Sequence, residues 1–326
     1  MDIRKMIERS EILTWEGWKH GLEVTIDSTL GWLDISGQLV YRPPTGVTHR
    51  NYTGRAYGIR RRDVAIAAPV SRWLYASRLR PPYKTDSAYF QLYRPEDLDG
   101  RAYCLRQDAL WDRCISRYSP ETAALIGFAI GDGYIKPQHR LCLAFHLKRK
   151  RKIDWLQEMA KRTGWTLNIS QDHYLLYPPQ RLSRLFGKIY DPKTDEKQIP
   201  GPVFGWNREL AAEVIRGLIE SDGSRNHSSG AAGFYTTSPH VIAQFQQLCL
   251  HAGAVSVHGK PRADSDKKCI RFGMHRRTRP VMRPHCRLQW TKVKNVPVYD
   301  ISPASGLIYV RCNGTTSWQC AGLLEE

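Results

Sequence analysis

From Thr122 to Gly131 the chain runs without a charge, and apolar side chains fall on every side of the helix this run predicts. A helix with no polar face is one buried all round. Ser119-Pro120-Glu121 supplies an N-cap residue followed by proline at the first helical position. Asp132-Gly133 marks the stop, with the glycine suited to a left-handed C-cap. A second helix begins near Asn207 and ends at Asp222-Gly223. Its polar residues Glu209, Glu213, Arg216 and Glu220 share one face, while Leu210, Val214, Gly217, Leu218 and Ser221 share another.

The segments downstream of the two helices also repeat. Leu141, Leu143, Phe145 and Leu147 alternate with Cys142, Ala144, His146 and Lys148, the pattern of a strand with two distinct faces. After Asp222, Gly233 to Ser238 gives a shorter strand signal. Each strand leads into an amphipathic helix that ends at glycine. One carries Ile153, Leu156 and Met159 and ends at Gly164; the other is capped by Ser238-Pro239, carries Ile242, Phe245 and Cys249, and ends at Gly253. The aspartate-to-glycine distance is 32 residues in the first copy (132 to 164) and 31 in the second (222 to 253). That agreement predicts a duplicated unit of helix, strands and helix.

Outside the duplication the texture changes. Residues 1–115 read as short strands, among them Glu11–Thr14, Leu39–Tyr41, Tyr57–Ile59 and Val64–Ala68, punctuated by glycine and proline. Residues 291–326 return to strands at Val296–Ile301 and Leu307–Arg311, before a turn at Asn313-Gly314. The expected organisation is a β-rich domain made of 1–115 and 291–326, interrupted by an insert of two repeats, about 116–200 and 201–290.

Composition narrows the partner. Lys and Arg total 49 against 31 acidic residues, a net charge of +18. Such an excess favours a polyanion. Nucleic acid is preferred over a membrane surface, because no basic amphipathic helix stands out. No apolar run reaches the roughly 18 residues of a membrane helix, and the opening MDIRKMIERSEI lacks an apolar signal core. The expectation is a soluble, cytoplasmic monomer with no obligate protein partner. The eight cysteines form no CxxC pair, which points to reduced thiols rather than a structural zinc site.

Small residues recur four apart on both leading helices, Gly127 with Gly131 and Gly217 with Ser221. That spacing puts them on one face, where two helix backbones can approach closely. If the helices meet there, Asp132 and Asp222 end side by side. Each helix C-terminus already carries about half a negative charge, so the pair calls for a cation. Oxygen ligands with open positions suit Mg²⁺, with Mn²⁺ as an alternative and the Gly131 and Ser221 carbonyls close enough to help. A single Asp-Gly after a helix is ordinarily a cap and turn; two copies with matched spacing are not so easily dismissed.

Leu125-Ile126-Gly127-Phe128-Ala129-Ile130-Gly131-Asp132-Gly133 resembles the signature of the LAGLIDADG homing endonucleases. Ile215-Arg216-Gly217-Leu218-Ile219-Glu220-Ser221-Asp222-Gly223 resembles it too, with charged Arg216 and Glu220 departing from the apolar pattern. The resemblance implies an α+β fold with a pseudo-twofold αββαββα repeat in a monomer and saddle-shaped antiparallel sheets over DNA. It also implies catalytic Asp132 and Asp222 holding Mg²⁺, and cleavage of both strands of a long asymmetric target to leave short 3′ overhangs. Two alternatives stand beside it: a non-cleaving relative acting as an RNA maturase or regulator, and an active intein.

The candidate contacts to double-stranded DNA are Arg140, His146, Lys148, Arg149, Lys150 and Arg151 in the first repeat, with Lys152 continuing the run. In the second they are Tyr235, Thr237, Arg271, His275, Arg276 and Arg277. Such residues suit base edges and phosphates. The family also places a basic residue near each metal; Lys268, Arg276 and Arg277 are candidates, and no lysine stands out in the first repeat. The flanks resemble a Hint, intein-type module at Ile12 to Trp18, Val298 to Ile301 and Val310 to Gly314. No nucleophile precedes Ile12 at the usual distance, no histidine stands in Ala68-Pro69-Val70-Ser71, and Trp318-Gln319-Cys320 stands where His-Asn-Cys belongs. A splicing-inactive module is therefore expected.

Overall fold

A computed structural model describes residues 2–61, 63–83, 89–113, 117–136, 141–191, 194, 196–225, 232–258, 270–275 and 279–324. The fold is α+β, its sheets antiparallel throughout the described pairings. The chain divides into two compact units. One comprises Met1–Leu110, Val255–Val257 and Arg277–Glu326; the other comprises Trp111–Ala254 and His258–Arg276.

The first unit is mostly β. Strand Glu11–Thr14 pairs antiparallel with Leu307–Cys312 (Glu11 opposite Arg311, Ile12 opposite Val310), so the two ends of the chain share one sheet. Arg311 ties the two strands together by donating through two nitrogens to the Glu11 carboxylate, at 2.6 and 2.7 Å. Leu307–Cys312 then turns back into Thr315–Cys320. Asn313 and Gly314 make the turn at φ 48° and 77°, the left-handed pair that matches the twist of a two-residue hairpin. A second sheet pairs the long strands Gly46–Arg60 and Gln289–Ser302, with Ala65–Pro69 alongside. Val281–Met282, inside the range expected for the insert, pairs instead with Cys104 and Tyr103 of this unit. Met282 is fully buried there among Tyr57, Leu74 and Leu105.

The second unit carries the duplication. Helix α1 (Pro120–Asp132) is capped by Ser119, whose hydroxyl accepts from the Thr122 N–H. After it come β1 (Gly133–Lys136), β2 (Cys142–His146), α2 (Lys150–Thr163), β3 (Thr166–Ser170) and β4 (His173–Tyr177). The sheet order is β1-β2-β4-β3. Helix α3 (Arg208–Asp222) is capped by Asn207 and leads into β5 (Gly223–Arg225), β6 (Ala232–Thr236), α4 (Pro239–His251) and β7 (Ile270–His275). Strand β6 pairs with β5 on one side and β7 on the other. Residues from both copies, including Phe128, Phe145, Leu156, Leu218, Phe234 and Phe245, join one hydrophobic core.

Two local expectations are corrected. Gly133 is not a left-handed cap; its φ is −85°, and that of its counterpart Gly223 is −104°, both in extended backbone that starts the next strand. Glycine is needed there for space. A Cβ on Gly133 would lie 2.8 Å from the Ala129 backbone and 2.9 Å from the Phe145 ring, and one on Gly223 would lie 2.5 Å from the Ile219 backbone. The second face of β2 is also not polar along its length. Cys142 and Ala144 are fully buried, and the face opens only at His146. A strand covered on both faces must be apolar on both.

Candidate active site

Helices α1 and α3 touch through their small residues. A Cβ on Gly127 would overlap the Val214 carbonyl oxygen, one on Gly217 would overlap the Ala124 carbonyl oxygen, and one on Gly131 would overlap the Ser221 hydroxyl. Ser221 fits by turning that hydroxyl back to donate to the Leu218 carbonyl at 2.8 Å. With the backbones this close, the helices end together. Asp132 and Asp222 are brought to a common point.

That point is held by a side chain. The Lys152 ammonium donates to both oxygens of Asp132, at 2.5 and 2.8 Å, and to Oδ1 of Asp222 at 3.5 Å. The Lys152 and Asp132 side chains are only 11% and 17% exposed, whereas Asp222 is 43% exposed. A second lysine approaches from the segment between the copies: Lys197 Nζ donates to the Gly131 carbonyl at 2.7 Å. This carbonyl is one of the last on α1, where the helix leaves its acceptors unpaired. Two carboxylates and two ammonium groups thus form a balanced cluster at paired helix ends.

Burial dominates the protonation of the inner groups. It raises the Asp132 carboxyl above the usual carboxylate range, the Asp222 charge adds to the rise, and the Lys152 hydrogen bond opposes it. Burial lowers the Lys197 ammonium, and the charges of Asp222 and Asp132 pull it back up. The cluster opens into a cleft of about 1040 Å³ whose lining includes Lys148, Arg149, Lys152, Asp222, Tyr235 and Thr237. Lys148, Arg149, Lys152 and Lys197 thus stand in the wall of the cleft beside Asp222, a lining whose cations suit a phosphate.

Sequence reasoning singles out neither lysine for the site. Lys152 has a signal: it stands four and seven residues before Leu156 and Met159 on α2, in phase with the buried stripe. A lysine on an apolar helical face needs a partner. Lys197 has none; it sits beside Glu196 in an irregular stretch.

The other expected residues fall in several places. Lys148, Arg149 and Lys150 are exposed between the end of β2 and the first turn of α2. Arg151 turns to Glu220 at 2.6 Å, and His146 lies 2.5 Å from the Asp172 carboxylate. Tyr235 meets the Ser224 hydroxyl at 3.1 Å. Arg271 lies on β7 opposite Tyr235, with His275 on the same strand. Arg140, Lys268, Arg276 and Arg277 lie outside the described residues.

Several known proteins are similar to this chain at low identity. The homing endonuclease I-DmoI, in mesophilic variants, is 12% identical with a TM-score of 0.34, covering 48% of this chain and 89% of that one. The N-terminal LAGLIDADG domain of WhiA is 13% identical with a TM-score of 0.31, covering 49% and 78%. Among curated proteins, the isomerizing glutamine–fructose-6-phosphate aminotransferase of Methanocaldococcus jannaschii is 25% identical over 155 residues. That match takes 44% of this chain but spans only 14% of the aminotransferase. Residues 209–275, which contain α3 from its second residue, Asp222 and β5 to β7, match the family model of the LAGLIDADG-like domain.

Proposed function

We propose that the second unit is a divalent-metal-dependent, site-specific endonuclease for double-stranded DNA, with Asp132 and Asp222 as its metal-binding catalytic pair. The convergence of both carboxylates on one ammonium carries this reading. Their oxygens already share a cation, so the donor set fits a hard divalent ion such as Mg²⁺ or Mn²⁺ once Nζ of Lys152 swings aside. Asp132 and Asp222 would hold the ion, with the Gly131 and Ser221 carbonyls nearest to assist. Bound there, it supplies an activated water and stabilises the leaving oxygen of a phosphodiester. The LAGLIDADG-like match over 209–275 supports the same reading.

The protein's own groups do the rest. Lys148, Arg149 and Lys150 hold phosphates along the cleft. Lys152 and Lys197 offset the negative charge that gathers when a phosphate meets two carboxylates. The copies present different side chains to the cleft, Lys148 and Arg149 against Tyr235 and Thr237. Unlike halves suit an asymmetric target, cut on both strands by a monomer. The first unit stands as a Hint-like module without splicing activity. Its Cys320 is fully buried, with the thiol donating to the Ala304 carbonyl at 2.8 Å and its pKa raised by burial, so no thiolate is offered to an acyl group.

One observation favours binding without cleavage: Lys152 already supplies one positive charge to both carboxylates. Incubating the protein with Mg²⁺ or Mn²⁺ and a library of fragments spanning its own genomic locus, with the interrupting element removed, separates the two readings. Discrete double-strand breaks are expected, and Asp132→Asn or Asp222→Asn should reduce them by more than about 100-fold. Sequence-selective retention of fragments with no breaks under either metal would replace the endonuclease by a binding protein.

A further inference from the structure

Apart from the aspartate pair, the first repeat gathers a second set of ligand-type atoms. His146 is the last residue of β2 and His173 the first of β4, and they stand directly opposite in the antiparallel register. Opposite residues of neighbouring strands share a face. The rings accordingly lie 4.7 Å apart between centroids, close to perpendicular. Asp172 precedes His173 in the short Gln171-Asp172 connection from β3. Gln171 takes the left-handed conformation, φ 53°, that turns the chain back on itself. The Asp172 carboxylate thereby reaches both rings: Oδ2 is 2.5 Å from His146 Nε2, and Oδ1 is 3.7 Å from His173 Nε2. One ligand atom from each of the three residues lies within 4.8 Å of the others.

Each of these side chains is 40 to 49% exposed, so an ion can enter without opening the core. The backbones of His146 and His173 are fixed by the strand pairing and that of Asp172 by accepting from the Leu147 N–H at 3.2 Å, which lowers the ordering cost of assembling ligands. Two imidazole nitrogens and one carboxylate oxygen are a borderline donor set. Zn²⁺ takes such ligands in tetrahedral geometry, whereas Mg²⁺ prefers oxygen alone. The aspartate pair at the helix ends is all oxygen. The two places therefore select different ions.

We propose that His146, Asp172 and His173 form a Zn²⁺ site with its fourth position open to water. It needs only modest rotation of three surface side chains from the contacts they now make. Held by the ion, the β3–β4 turn is clamped to the end of β2. His146 also lines the cleft that contains Asp222, so the clamp fixes the strand end that leads into Lys148 and Arg149. This site stands independently of the endonuclease reading.

The test uses the full chain carrying Asp132→Asn and Asp222→Asn, with Mg²⁺ in excess, titrated with Co²⁺ and then Zn²⁺. Co²⁺ reports its geometry by visible absorption, and the two substitutions remove the other carboxylate site. One equivalent of Co²⁺ with a four-coordinate spectrum, displaced by Zn²⁺, is expected. His146→Gln and His173→Gln should each weaken Zn²⁺ binding by more than about 100-fold, beyond the loss of a merely outer partner. Asp172→Asn, which keeps the shape, should do the same, and Zn²⁺ should raise the unfolding midpoint only when all three residues are present. No saturable Co²⁺ spectrum, or Zn²⁺ affinity unchanged by the substitutions, overturns the site.

Discussion

Lys152 is the only described side chain that donates to both carboxylates. It is more buried than Asp132, so removing it leaves an acid with little solvent and a negative neighbour. Breaking one side of a buried pair costs about 3 kcal/mol. Lys152→Met should therefore lower stability by about that amount in chelator, and Mg²⁺ should restore most of it by supplying the missing positive charge. Urea unfolding with and without Mg²⁺ measures both; an equal loss in the two conditions would mean the carboxylates do not hold Mg²⁺ in place of the lysine. The residues behind this prediction differ in how far the sequence reveals them. Asp132 and Asp222 are legible because they occur twice, at the same place in a repeat. Lys152 occurs once. Twenty residues after Asp222 the second copy has Ile242, buried in the core, so no symmetry argument leads to the lysine. Lys197 belongs to neither copy's pattern, and only the folded chain brings it to Gly131.

At the scale of elements, the contact between α1 and α3 decides whether the acids meet at all. Each of Gly127 and Gly217 faces a carbonyl oxygen of the other helix, and backbone cannot move aside as a flexible side chain can. Gly127→Ala and Gly217→Ala should each cost about 3 kcal/mol or more, at or above the upper end of ordinary overpacking. They should also separate the aspartates, so DNA cleavage falls even where the protein remains folded. Gly164→Ala offers the contrast. Its φ of 68° is left-handed, yet nothing stands near its Cβ, so only about 1 kcal/mol of backbone strain is at stake. Thermal unfolding of the three variants checks the ranking, and a Gly164→Ala as damaging as the other two would refute the packing account. The small-residue spacing that predicts this contact survives in sequence because it is local. The role of Gly133 and Gly223 is only partly local. The backbones of Ala129 and Ile219, four residues back, crowd them, and Phe145 in one copy and Gly233 in the other add to this from the neighbouring strand, which the sequence does not show. The buried second face of β2 is hidden for the same reason: cysteine and alanine are compatible with either environment, and what covers them is distant in sequence.

At the scale of the whole molecule, the chain is nested: strands near its two ends pair in one sheet while the duplicated unit is made from the middle. The shift in texture along the sequence reflects this, because short strand signals mark both ends whereas the middle alternates strands with helices. The exchange of Val281–Met282 into the first unit leaves no such trace, since two residues are too few to show a period. Charge is the property that spans both units. The net +18 would draw DNA anywhere if it acted as a diffuse field, whereas the cleft reading places the contacts at particular cations. The two accounts differ in their salt dependence. Each phosphate neutralised by a cation releases counterions, and the slope of log affinity against log salt is roughly −0.9 per phosphate contacted. Lys148→Gln with Arg149→Gln should flatten that slope by roughly 2. Lys292→Gln with Lys294→Gln changes the net charge equally, on exposed positions of the strand Gln289–Ser302. That pair should leave the slope where it was. Fluorescence anisotropy of a bound duplex across a salt series reads both variants. Equal flattening by the two pairs would assign the affinity to the overall field and withdraw the cleft as the place where DNA is held.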